Sequence, residues 1–341
     1  MLSVKLHPFR DKGPGFVAKS KGGQVILAVR ELSIKSLVFH AIVGILVFGG
    51  CSAMKGRVMP AAEIEGVSGR FYPGTILNMS TGRAVSFETL VADLGSEDVI
   101  FIGEVHDNPE HHLIQVQLLQ ALTARYAPVT VGMEFFEAPR QEILDRYTNG
   151  VLTEEEFLAR VEWGKTWGYP YRFYRPLIQE ARQSGSRLLA LNAPRFIVKK
   201  VARSGLKSLE SHERIQVAET IHLDDDQHRA FLREVYELHA HGELKEFDFF
   251  YQAQCVWEDT MAENLVKELV REPRKAVVFS GNGHIVHGFG IPDRTRMRLP
   301  VTTGTLILHP LTAAERIEKE TADFVWLTGT CSRRHPPVPA D

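Results

Sequence analysis

The stretch Val99–His112, VIFIGEVHDNPEHH, decides how this chain is read. Four apolar residues run into Gly103. Glu104, His106 and Asp107 follow at once, then His111 and His112. A short apolar run that ends in glycine reads as a buried strand leaving its sheet. The polar cluster then stands at the carboxyl end of that strand, the edge at which open α/β sheets bind ligands. Pro109 opens a helical stretch, EHHLIQVQLLQALTARY, in the first turn, where proline is tolerated. Asp107 or Asn108 is placed to cap that helix. A plain capping loop accounts for those two residues but leaves Glu104 and His106 without a purpose.

Further strands follow at intervals. VTVGM (129–133) ends in Glu134, RLLAL (187–191) closes on Asn192, and AVVF (276–279) runs into SGNGHIVHG. Thr305–Leu308 and Phe324–Leu327 read as the last strands, and FYPGTILN as a hairpin or loop near the start. Ser86 is placed to cap a first helix, Thr153 and Glu156 have the spacing of a capping box, and Gly185 stops PLIQEARQSG. Residues from about 196 to 270 read as an almost wholly helical insertion. Strands separated by helices predict an α/β fold, a mainly parallel sheet with helices on both faces.

In such a sheet all carboxyl ends lie on one edge. Glu104 and His106, Glu134, Asn192, and Ser280, Asn282, His284 and His287 therefore become neighbours. Two carboxylates with two or more imidazoles suit a divalent metal ion such as manganese, iron or zinc. They equally suit acid–base chemistry, with Glu104 or Glu134 activating water and histidine donating the proton. Glu104, His106, Glu134 and His284 are the candidate catalytic and metal-ligating set. The bland alternative is a backbone-satisfied Glu134 and a loop histidine at 284. Several buried ionisable groups without a mutual role weigh against it.

The beginning of the chain reads as an address. Residues 36–50, SLVFHAIVGILVFGG, are too short an apolar run to span a bilayer comfortably, follow Arg30 and Lys35, and end just before Cys51. That is the layout of a bacterial lipoprotein signal, with Cys51 lipidated and Ser52 favouring the outer membrane. Phe48 departs from it, since leucine is usual there. Residues 1–34 are long for a positive leader, which allows a later start such as Val25 or Val29. Domain organisation is then 1–50 signal region, 51–85 lipid tether and N-terminal loop, 86–330 α/β domain, and 331–341 tail. Cys255 and Cys331 are far apart and form no zinc or redox motif. A formal net charge of −2 lends no support to nucleic-acid binding.

The segments GEVHDNPEHH, GMEFFE, YRPLIQEARQSGSRLLALNAP, YQAQCVWEDTMAENL and FSGNGHIVHGFGIPDR occur in this order. Over roughly residues 85–300 the series resembles the ChaN family of haem-binding lipoproteins, in the superfamily of Tiki proteases, TraB proteins and erythromycin esterases. The resemblance implies a three-layer α/β/α fold and a role in haem or iron uptake. It implies two haems stacked between the protomers of a homodimer, one tyrosine ligating each iron and polar groups of the other protomer holding propionates. The superfamily's hydrolases use a GxxH motif and paired glutamates, which fall here on Glu104, His106, Glu134 and Gly281–His284. A metal-dependent peptidase or esterase is therefore the alternative to a haem-binding protein.

The segment Trp163–Tyr174, WGKTWGYPYRFY, offers aromatic walls for a porphyrin and three phenols, Tyr169, Tyr171 and Tyr174, for its iron. Tyr169 and Tyr171 flank Pro170 in a loop. Tyr174 opens a helix, where a packing role is as natural. Tyr147 and Tyr236 are next in line. Arg172, Arg175 and Lys165, or His228, His239, His241 and Lys245 of the insertion, are candidate propionate partners. A porphyrin needs broad apolar walls rather than small hard ligands, so the haem site is expected to lie apart from the strand-end cluster.

Overall fold

The computed structural model describes residues 60–239 and 246–330. The signal region, Cys51, His241, Lys245, Cys331 and the tail lie outside the described residues, as does the side chain of His239. The chain begins with β1 (Ala62–Ile64), the hairpin β2 (Ile76–Asn78) and β3 (Arg83–Val85), and α1 (Phe87–Leu94). It then alternates: β4 (Val99–Glu104), α2 (Pro109–Tyr126), β5 (Thr130–Glu137), α3 (Gln141–Thr148), α4 (Glu154–Val161), α5 (Trp163–Thr166), α6 (Tyr171–Gln183) and β6 (Arg187–Asn192). The insertion holds α7 (Arg195–Ser204), α8 (Ser211–Arg214), α9 (Asp226–His239) and α10 (Phe247–Arg271). The chain returns through β7 (Ala276–Gly281), α11 (Ile291–Arg298), β8 (Thr303–Pro310), β9 (Glu315–Ile317) and β10 (Phe324–Thr328).

Eight strands form one sheet in the order β3-β2-β10-β8-β4-β7-β5-β6. The run from β10 to β6 is parallel throughout, and only β2 opposes it, antiparallel to both β10 and β3. The fold is the expected α/β with a mostly parallel sheet. Alternation divides each central strand between two cores. Ile100 and Ile102 of β4 join Val277 and Phe279 of β7 under α1, α2 and α6, while Val99 and Phe101 join Ala276 and Val278 under α10 and α11. Both faces are covered, which is why these strands read as unbroken apolar runs.

Local signals place the helix ends. The Ser86 side chain accepts from Thr89 N, and Thr153 and Glu156 form the reciprocal capping box. At α2 the cap is Asn108, whose side chain accepts from Glu110 N, so the choice between Asp107 and Asn108 falls to Asn108. The insertion is less helical than the sequence suggests. Residues 215–225 form no helix between α8 and α9.

Two backbone features prepare the sheet edge. The β5–β6 register shifts between Met133 and Glu137, so both Phe135 and Phe136 pack into one core while Glu134 is re-aimed. In β4, a Cβ on Gly103 would strike the Asn282 side chain and lie 3.1 Å from Ile307 Cδ1. The Gly103→Ala variant is expected to lose about 1–3 kcal/mol by overpacking. A denaturant melt against wild type checks this, and an unchanged midpoint would show that the edge yields freely.

Candidate functional site

The strand ends do converge. β7 lies between β4 and β5 and ends in Gly281. With no side chain there, groups from both flanking strands meet over it. A Cβ on Gly281 would stand 3.1 Å from His106 Nε2 and 3.7 Å from Glu134 Oε2. Asn192 arrives from β6, and its Nδ2 donates to Glu134 O at 2.8 Å. His284 follows β7, with Nε2 3.7 Å from Glu134 Oε1.

The groups separate into two polar systems. Glu104 is 2% exposed and is contacted from three elements. His106 Nδ1 donates to its Oε1 at 2.8 Å, Tyr174 OH donates to the same atom at 3.0 Å, and His112 Nδ1 lies 3.3 Å from Oε2. Nδ1 of His106 is thereby committed, and Nε2 is the ring nitrogen left for the cavity. Burial pushes the His106 pKa down, but its hydrogen bond to Glu104 and the charges of Glu134, Glu104 and Asp107 outweigh that and hold it above the usual imidazole value. A histidine oriented by a buried carboxylate is competent as acid or base.

The second system lies behind Glu134. Glu134 Oε2 accepts from Gly281 N at 2.7 Å. His284 Nδ1 lies 3.2 Å from Glu258 Oε1, and Glu258 also meets His228 at 3.5 Å and Arg294 at 3.3 Å. Arg294 and Arg298 further hold the adjacent Asp259 at 3.3 and 2.7 Å. Burial raises the Glu258 pKa, but Arg294 and the two histidines outweigh it and keep it below the usual carboxylate value. For His284 burial acts downward, and Glu134 and Glu258 raise it above normal. The sequence reading missed Glu258, Asp259 and Arg294 altogether.

The metal assignment gains no support from this division. Among the described residues no three His, Cys, Asp or Glu side chains form a group able to hold a metal ion. Glu104, His106, Glu134 and His284 are neighbours, but each carboxylate is already turned to its own histidine or amide. The remaining strand-end candidates do not join them. Asn282 Nδ2 donates to Leu308 O at 2.8 Å, and His287, at φ 60°, faces Phe231 and Phe289 beside a different groove.

A cavity of about 630 Å³ opens above Gly281, with His106, Glu134 and Asn192 among its lining residues. Phe135, Trp167, Tyr169, Phe250 and Trp257 supply its aromatic surface. Tyr169 comes from the connection between α5 and α6, pinned where Trp163 Nε1 donates to Tyr169 O at 2.9 Å. Its ring centroid lies 4.9 Å from that of His106. The aromatic segment and the strand-end cluster therefore share one cavity, contrary to the expected separation.

The three candidate tyrosines have different environments. Tyr174 is wholly buried and spends its hydroxyl on Glu104. Tyr171 donates to Glu154 Oε1 at 3.0 Å. Burial above all raises the pKa of all three phenols. Tyr169 alone of the three lines the cavity, and its hydroxyl donates to no other described residue. The described candidates for propionate binding have contacts of their own. Arg175 is bonded to Glu154 at 2.6 and 2.9 Å, Lys165 pairs with Glu162 at 2.8 Å, Arg172 stacks on Phe173, and His228 is fully buried. Tyr147, next in line, is buried and stacks on Phe157. Arg195 and Lys199, on α7, line the cavity instead, exposed and in no ion pair among the described residues.

His111 holds the loop below the site. Its Nδ1 accepts from Val105 N at 2.9 Å, so Nε2–H donates to Thr328 Oγ1 at 2.8 Å. Burial, then the charges of His112 and His309, push its pKa down to about 3. A histidine kept neutral by folding contributes stability that is present above pH 6.5 and is lost as pH falls toward 3. Its share of the acid-side slope should approach one proton, about 1.4 kcal/mol per pH unit. His106 and His284, with raised values, act in the opposite sense, losing stability as pH rises through them. His111→Gln should flatten the stability profile between pH 6 and 4 in denaturant melts, and a profile parallel to wild type would contradict the assignment.

A family model described as haem-binding uptake, Tiki superfamily, ChaN matches residues 90–295. The structure of Campylobacter jejuni ChaN with cofacial haem is 19% identical, and the match covers 77% of this chain and 98% of that one at a TM-score of 0.60. That likeness concerns the fold. The chloroplastic protein RETICULATA-RELATED 5 of Arabidopsis thaliana is 21% identical over 296 residues. The match covers 79% of this chain but only 39% of that protein's length. An erythromycin esterase, EreC, in its open conformation is 13% identical over 70% of this chain and 77% of that one, at a TM-score of 0.43, too slight a likeness to argue from. The model's span covers more than half of the chain, and the chain belongs to the haem-binding uptake family, ChaN, of the Tiki superfamily.

Proposed function

We propose that this chain binds haem in the cavity above Gly281, with Tyr169 as the iron ligand and Arg195 and Lys199 as partners of the propionates. The observation that carries the reading is the cavity's composition. It joins aromatic walls, a phenol that donates to no other described residue, and two cations in no ion pair among the described residues. Its volume of about 630 Å³ lies within the range of sites that enclose cofactors. Bound haem would supply ferric iron to a hard phenolate ligand and two carboxylates to the cations. The chain's part is to present the phenol, keep water from the apolar walls and set the charges at the rim. His106 and Glu134 stand at the same surface but need not contact iron.

The reading extends to the protein's place in the cell. We propose a lipoprotein anchored through Cys51 on the outer membrane, facing the periplasm and acting in haem or iron uptake, that pairs as a homodimer when haem is bound. The apolar run 36–50 ending at Cys51 supports the anchor, and burial of haem surface between protomers supports the dimer.

Two experiments test these statements. Haemin titration of single phenylalanine variants should separate the tyrosines. Tyr169→Phe should abolish the ferric charge-transfer band while keeping the melting temperature. Tyr171→Phe should keep the band. Tyr174→Phe should keep it too but cost about 1–2 kcal/mol of stability, because Glu104 loses a donor in a buried site. An unchanged spectrum in Tyr169→Phe would overturn the ligand assignment. For the anchor, cells fed a radioactive fatty acid should label wild type and leave Cys51→Ser unlabelled. Equal labelling of both would remove the lipoprotein reading.

A further inference from the structure

The haem reading accounts for the walls and the cationic groups of the cavity but not for its polar floor. Asn192 is 6% exposed and lines the cavity. Its amide orientation is fixed, because Nδ2 donates to Glu134 O at 2.8 Å. Its Oδ1 is left buried with no donor. Beside it stands the Glu134 carboxylate, 1% exposed, with Oε2 on Gly281 N at 2.7 Å and Oε1 3.7 Å from His284 Nε2. A buried acceptor without a donor is destabilising, and a ligand carrying the donor would recover that loss. The apolar edge of a porphyrin brings no N–H or O–H.

The surroundings of these acceptors are π faces. Phe135, Trp167, Tyr169, Phe250 and Trp257 line the same cavity. Phe135 and Trp167 lie 5.1 Å apart between ring centroids, and Trp167 and Tyr169 5.8 Å. An ammonium group is attracted to aromatic faces and to a carboxylate together, and the attraction grows as water is excluded. A carboxylate and an amide oxygen inside an aromatic enclosure are thus the complement of a cation that also donates hydrogen bonds.

We propose that the floor of this cavity is a binding site for a primary or secondary alkylammonium group carried on an apolar body, held between Glu134 and Asn192 Oδ1. Two selectivities follow. A quaternary ammonium would keep the cation–π attraction but has no N–H for Asn192. A diamine would bring its second charge toward Arg195 and Lys199, so monoamines are favoured. The proposal rests on the floor acceptors and the aromatic faces around them, and holds whether or not Tyr169 ligates iron.

Calorimetric titration of the full-length protein at pH 8 with phenethylamine, with its N,N,N-trimethyl analogue and with 3-phenylpropanoate tests it. The primary amine should bind saturably, and the trimethyl analogue about tenfold more weakly, the loss of one charge-assisted hydrogen bond. Asn192→Leu should reduce amine binding to the level of the trimethyl analogue. Should that variant fail to fold, Trp257→Leu, which removes a wall and keeps both Glu134 and Asn192, should weaken the amine several-fold. Absence of saturable binding by phenethylamine would overturn the site, the orphaned oxygen then being met by water. Equal affinity for the quaternary analogue, or tighter binding of 3-phenylpropanoate, would also overturn it.

Discussion

The burial of Glu104 is the constraint around which this end of the molecule is arranged. A lone carboxylate withdrawn from water at the end of a central strand is too costly to survive unpaired. Its partners come from three separate elements: His106 in the loop after β4, His112 on the first turn of α2, and Tyr174 on α6. Satisfying one charge therefore fixes a loop, a helix entry and a second helix relative to the strand. His111 adds a fourth tie, joining the loop amide of Val105 to Thr328 at the end of β10. His106 is left with its Nδ1 occupied and its ring position set, which is the condition for a functional imidazole rather than a surface one.

Gly281 performs the complementary task by what it lacks. A Cβ there would press against His106 and stand in contact with Glu134, so a glycine at the end of the strand between β4 and β5 leaves room for the two to face one cavity. The same closeness divides the cluster into separate groups. Glu104 Oε1 is taken by His106 and Tyr174 on its own side. Glu134 takes the Gly281 amide, and its nearest imidazole, His284, is pulled back by Glu258. What looks like a four-ligand set along the sheet edge divides into two polar systems, with Arg294 and Arg298 compensating the buried acids of α10.

The parts of the architecture that were legible in the sequence are those set by local physics. Strands covered on both faces show as apolar runs, and Ser86, Thr153 and Asn108 cap helices where their side chains can reach free amides. A parallel sheet sends strand ends to one edge, so Glu104, His106, Glu134, Asn192 and His284 could be grouped without knowing their distances. The second polar system was not legible. Glu258 and Asp259 sit in a long helix where adjacent acids ordinarily mark a solvated face, and their neutralising arginines lie more than thirty residues on, in α11. Nor did the sequence distinguish Arg195 and Lys199 from the other surface cations. Their lack of ion pairs depends on tertiary placement alone.

The aromatic segment shows why a choice between core and ligand surface was falsely posed. Residues 163–174 do not serve one purpose. Trp163 and Tyr174 turn inward, the first packing on Phe136 and holding the backbone of Tyr169, the second closing over Glu104. Trp167 and Tyr169 turn to the cavity. The core residues are thus what hold the cavity residues in place. The chain reverses at Glu162, in the left-handed region at φ 53° and tied to Arg140 and Lys165. That reversal starts the short helix α5, from which the connection carrying Trp167 and Tyr169 continues to line the cavity. An aromatic wall and a strand-end imidazole share one cavity because the helix that buries Glu104 begins where that wall ends.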